Sequence, residues 1–102
     1  MKENIEIEKI VFISQERETS TFFLYGGESI EVYEDIDTIE NNLNKHGFIK
    51  ANHKMLVNTE HIHSISEEGK RIITLSNNYK IKISRRKIFQ FKLIIIRSHF
   101  MK

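Results

Sequence analysis

The eleven residues FIKANHKMLVN, Phe48 to Asn58, place a polar knot of Lys50, Asn52, His53 and Lys54 between residues that favour strands. A buried strand has no use for such a knot, and a plain surface turn does not need such apolar flanks. A second cationic group, Arg85-Arg86-Lys87, follows the strand-like YKIKIS. Arginine can grip guanine through O6 and N7, asparagine can read adenine, and lysine or histidine can meet a base edge or a phosphate. Both groups also have the composition of a solvated turn at a strand end. Together in one basic half of a chain, they point to a nucleic acid.

Other chemistry is poorly supplied. His61 and His63 stand two apart on a strand-like stretch, so they point to one face, but no third residue is spaced to complete a metal site. No metal and no cofactor is expected. The chain has no cysteine, which removes disulfides, thiol nucleophiles and thiolate ligands. It contains no phosphate loop, Gly-x-Gly-x-x-Gly or Gly-x-Ser-x-Gly motif, and its carboxylates show no paired acid/base pattern. An enzyme is not expected.

The net charge of +2 hides an asymmetry. Residues 1–40 hold 3 Lys/Arg against 11 Asp/Glu, a balance of −8, and residues 41–102 hold 13 against 3, a balance of +10. A basic half of this strength suits an anionic partner. Purely apolar runs such as Ile10 to Ile13 and Leu93 to Ile96 are only four residues long, so no membrane partner is expected. The opening MKENIEIEKI is charged throughout and lacks a secretory pattern, and a cytoplasmic location is expected.

These residues need elements to position them. IEIEKIVFI (5–13) begins in alternation and reads as a strand with one wet face. A polar stretch, SQERETS (14–20), follows. TFFLY (21–25) and ESIEVY (28–33) flank Gly26-Gly27, a hairpin signal because a tight primed turn needs two positive φ angles. Ile36, Ile39 and Leu43 share a helical face, which predicts a helix at about 36–45, with Asp35 or Glu34 as its cap and Gly47 at its left-handed exit. Strands are predicted again at 55–58 and 61–65, with a turn at EEGK. RIITLS (71–76) and YKIKIS (79–84) flank Asn77-Asn78 as a second hairpin. KIFQFKLIII fits a strand or a short helix. We expect one domain over 1–102, mainly β, with one short central helix.

The order of these motifs carries a resemblance. Tyr33, Ile36, Ile39, Glu40 and Leu43 on a helix are followed by Gly47-Phe48-Ile49-Lys50, then His53-Lys54-Met55-Leu56-Val57-Asn58, then a hairpin ending Ile83-Ser84-Arg85-Arg86. Over residues 5–92 the chain resembles the LytTR DNA-binding domain, the output domain of many bacterial response regulators in two-component systems. The resemblance implies an elongated stack of small antiparallel sheets, with loops that enter successive major grooves of double-stranded DNA. It implies a transcription regulator whose DNA contacts fall at Thr19, Asn52, His53, Lys54 and Arg86, and the basic Lys50, Arg85 and Lys87 are expected to join them. Lys50 would act on phosphate, and Asn58 would hold a turn. The chain departs from the family pattern where His-Arg is usual and it has Asn52-His53, at Met55, and at Thr19, where some members carry histidine. One small domain reads too few base pairs to be selective alone, so repeated half-sites on DNA are expected, and the resemblance suggests a receiver domain in a full-length protein. We expect a monomer in isolation and two copies on DNA. The alternative is a small β protein-interaction module that docks an acidic partner through its basic C-terminal half.

Overall fold

The structure, a computed structural model, describes residues 5–66 and 70–100, with side chains of the last helix described as far as Ile96. Among the described residues, eight strands form two antiparallel sheets. The larger sheet contains β1 (Ile10–Glu16), β2 (Thr19–Leu24), β3 (Ser29–Val32), β4 (Phe48–Asn52) and β5 (Met55–Asn58), in the order β3-β2-β1-β5-β4. The smaller contains β6 (Ile62–Ile65), β7 (Ile72–Leu75) and β8 (Lys80–Lys82), in sequence order. Helix α1 (Ile36–Leu43) joins β3 to β4, and helix α2 (Ile88–Phe100) follows β8.

β1 shows why the larger sheet lies at the centre. Its residues Ile10 to Ile13 are all buried, because α1 covers one face and the second sheet covers the other. Ile10 and Ile13 join Phe22, Ile36, Ile39, Leu43 and Leu56 in the first core. Val11 and Phe12 join Val57, Ile73, Leu75, Ile81 and Phe91 in the second. A register shift between Ile10 and Phe12 breaks strict alternation and lets the adjacent Val11 and Phe12 both face the second core, while Ile10 and Ile13 face the first. The expected wet face therefore does not extend to the strand itself. The alternating residues 5–9 precede it and include a 3-10 turn at Ile7–Lys9.

The turns follow backbone chemistry. Gly26 and Gly27 take φ of 104° and 98° between β2 and β3, and Asn77 and Asn78 take 65° and 62° between β7 and β8. The Asp35 carboxylate accepts from the Asp37 N–H and caps α1. The helix ends at Leu43, two residues sooner than expected, and Gly47 takes φ of 80° before β4. The EEGK turn falls largely outside the described residues.

Among the described residues there are two α-helices, not one. KIFQFKLIII is helical because Phe91 then enters the second core, fully buried beside Ala51 and Ile83. Its other face leaves Phe89, Leu93 and Ile96 exposed at spacings of four and three. Phe12 and Phe23 stack at 4.4 Å, and Tyr79 meets both edge-on, at 5.0 and 5.7 Å, tying the sheets together.

Candidate nucleic-acid interface

The polar knot is the turn between β4 and β5. Asn52 builds it: its side-chain oxygen accepts from the Lys54 N–H at 3.0 Å, an Asx turn that leaves His53 and Lys54 exposed at the tip. The Asn52 amide nitrogen donates to the Lys82 carbonyl of β8 at 3.0 Å. Both ends of this side chain are therefore engaged inside the protein. Beside it the Ser84 N–H donates to the Ala51 carbonyl at 2.8 Å. These two bonds carry the end of β8 across to β4. They bring Ser84-Arg85-Arg86-Lys87 alongside the β4–β5 turn, more than thirty residues away in sequence.

A groove of about 210 Å³ lies between the two segments, lined by Lys50, Asn52, His53, Ser84, Arg86 and Lys87. Arg85 and Lys54 lie outside its lining, both exposed. Among the described residues, the side chains of His53, Lys54, Arg85, Arg86 and Lys87 make no hydrogen bond or ion pair. Lys50 differs, because its Nζ is paired with the Asp37 carboxylate in the first turn of α1.

Thr19 is not in the groove. Its hydroxyl donates to the Glu16 carbonyl at 3.2 Å and closes the β1–β2 turn. That turn neighbours the β4–β5 turn all the same, because the Gln15 N–H donates to the Lys54 carbonyl at 2.9 Å. Gln15 does more. Its side-chain nitrogen donates to the Arg17 carbonyl at 2.8 Å, and its side-chain oxygen accepts from the Ile36 N–H at 3.1 Å, at the start of α1. One residue thus braces two turns and a helix. Arg17, exposed with φ of 59°, stands at the tip of the β1–β2 turn. Sequence reasoning missed Gln15, Arg17 and Asp37. Gln15 and Arg17 sat in a polar stretch in which only Thr19 was singled out, and Glu16 and Glu18 masked the cation. The odd positive φ demand at Arg17 has no residue-type signal.

Asn58 is buried, donates to the Ile10 carbonyl at 2.8 Å and accepts from the Glu60 N–H at 3.0 Å. It holds the exit from β5. The two histidines form a different kind of clip. His61 Nε2 lies 2.6 Å from the Glu8 carbonyl, which can only accept, so Nε2 carries a proton. In the neutral ring Nδ1 then accepts from the buried Ser76 hydroxyl at 2.8 Å, and His63 Nε2 donates to that oxygen at 3.3 Å. Among the described residues, no group of three metal-ligating side chains comes together, and no helix is long and apolar enough to cross a membrane.

A mainly β domain that collects cations unpaired among the described residues around one groove has the charge to hold an anionic polymer. The model of the LytTr DNA-binding domain matches residues 2–96. The chain belongs to the LytTR family of DNA-binding domains, so DNA is its partner and regulation of transcription its general role. Its fold is similar to that of the LytTr DNA-binding domain of a Bacillus cereus protein described as a methyl-accepting/DNA response regulator. The TM-score is 0.76 at 15% identity, over 89% of this chain and 84% of that one, a likeness that speaks for the fold. Comparison with curated proteins finds no match.

Proposed function

We propose that the chain binds double-stranded DNA sequence-specifically, with the β4–β5 turn and the Ser84–Lys87 segment entering one major groove and the β1–β2 turn reaching the next. The observation that carries this reading is the joining of Ser84 to Ala51, which brings His53 and Arg86 to one groove with no partner for either side chain among the described residues. His53 and Arg86 face base edges. Lys54, Arg85 and Lys87 neutralise phosphates, which contributes affinity and register but little specificity. Asn52 shapes the turn that presents His53, and Thr19 shapes the one that presents Arg17.

In this reading the chain is the output part of a bacterial cytoplasmic regulator, without enzymatic activity of its own. A receiver domain supplies the dimer contact in the full-length protein, and two copies occupy repeated half-sites. Selection of genomic fragments by the purified chain, followed by titration of the selected duplex against a scrambled one at fixed salt, tests it. A clear preference is expected, and equal affinity for both would end the reading. The exposed Phe89, Leu93 and Ile96 beside the basic segment favour a second reading, a module that docks an acidic protein. That module would ignore both duplexes.

A further inference from the structure

Lys50 lines the groove yet enters it already neutralised. Its partner Asp37 belongs to α1, and the two are not equally free to move. The Lys50 side chain is 18% exposed and the Asp37 side chain 67%. Lys50 is held in place by β4, whereas Asp37 can turn its carboxylate to water without disturbing any packing. Asp37 also sits at the positive end of the helix, which favours a carboxylate there whether or not Lys50 is bound to it.

We propose that Asp37 is an intramolecular competitor of the DNA phosphate for Lys50. The inference rests on the DNA-binding reading above. In the free protein the carboxylate fills the place a phosphate oxygen would take on the Lys50 ammonium. On binding, a phosphate takes Lys50 and Asp37 is released to solvent. The DNA loses a counterion at that phosphate, and the freed carboxylate gains one. The salt dependence of the wild-type chain is thus about one contact smaller than its count of phosphate-facing cations would give. Lys50 then contributes placement of the backbone at the groove but almost no net electrostatic affinity.

The test is a cycle of Asp37→Asn and Lys50→Ala, singly and together, with binding to the selected and the scrambled duplex measured between 50 and 200 mM salt. Asp37→Asn should tighten binding to both duplexes. It should steepen the log–log salt slope by about 0.9, so that the fourfold rise in salt costs about 3.5-fold more affinity than in the wild type. Lys50→Ala should leave the wild-type slope nearly unchanged, and in the Lys50→Ala background Asp37→Asn should have no further effect on it. Asp37→Ser, neutral and suited to a first helical turn, should repeat the Asp37→Asn result. Glu31→Gln removes the same charge from the edge strand β3, at the far side of the sheet from β4, and should leave the slope alone. The competitor role is overturned if Asp37→Asn leaves the slope at the wild-type value, or if its effect is the same with and without Lys50. A wild-type chain without any salt-dependent duplex binding would remove the DNA-binding reading and this role together, and is told apart because in the first failures the wild type still binds.

Discussion

At the scale of single residues, the two motifs divide into side chains that are spent and side chains that are available. Arg86 lines the groove and is unpaired among the described residues. Arg86→Ala should therefore lower discrimination between selected and scrambled duplexes by about 1–3 kcal/mol, the worth of one bidentate base contact, while the thermal unfolding curve stays in place. Discrimination unchanged within error would remove Arg86 from the set of base readers. His53→Ala should change which sequences a selection returns, because His53 stands exposed at a tip and its side chain bonds to nothing among the described residues. An identical selected motif would rule that out. Asn52→Ala should behave in the opposite way. It loses two hydrogen bonds, one to Lys54 and one to Lys82, and should cost roughly 1–3 kcal/mol of folding stability by chemical denaturation. The sequence showed that Asn52 and His53 belong to one polar knot, but residue type does not say which of them faces inward. The same limit applies to Lys50. Asp37 lies thirteen positions earlier on another element, and nothing in either segment announces the pair.

At the scale of elements, legibility follows how local the cause is. The Gly26-Gly27 and Asn77-Asn78 turns were readable because positive φ is a demand on the residues themselves. Helix α1 was readable from its cap and its apolar stripe. The C-terminal segment was not, because KIFQFKLIII satisfies both periods, and only the insertion of Phe91 between the sheets decides for a helix. Gln15 was hidden for a related reason. Its three hydrogen bonds reach Arg17, Ile36 and Lys54, so its importance exists only once β1, α1 and the β4–β5 turn are assembled. Gln15→Ala keeps the backbone bond to Lys54 and loses the two side-chain bonds. It should cost about 1–2 kcal/mol in denaturant titration and loosen the entry to α1, where the Ile36 N–H is left without its partner. A loss below about 0.3 kcal/mol would mean that water replaces the amide without penalty.

At the scale of the whole molecule, two cores share one sheet. Phe91→Ala removes a fully buried ring from the second core and should cost about 3–5 kcal/mol, a large part of the stability of a chain this size. In sedimentation experiments the free chain should be a monomer, with two copies on a duplex carrying two half-sites. A tight dimer without DNA would contradict the first expectation, and a strict one-to-one complex at saturation the second. The bond from Ser84 to Ala51 has a larger consequence. The groove has one wall on the five-stranded sheet and the other at the end of the three-stranded sheet, so it exists only while the sheets stay docked. Any partial opening that separates them deletes the site before either sheet unfolds. A duplex that fills the groove is then a ligand of the docked state, and at a free concentration one hundred times its dissociation constant it would hold the sheets together by about 2.7 kcal/mol. The amide hydrogen at the seam, that of Ser84, would exchange more slowly with duplex present, while those in the hairpin of β2 and β3 would keep their rates.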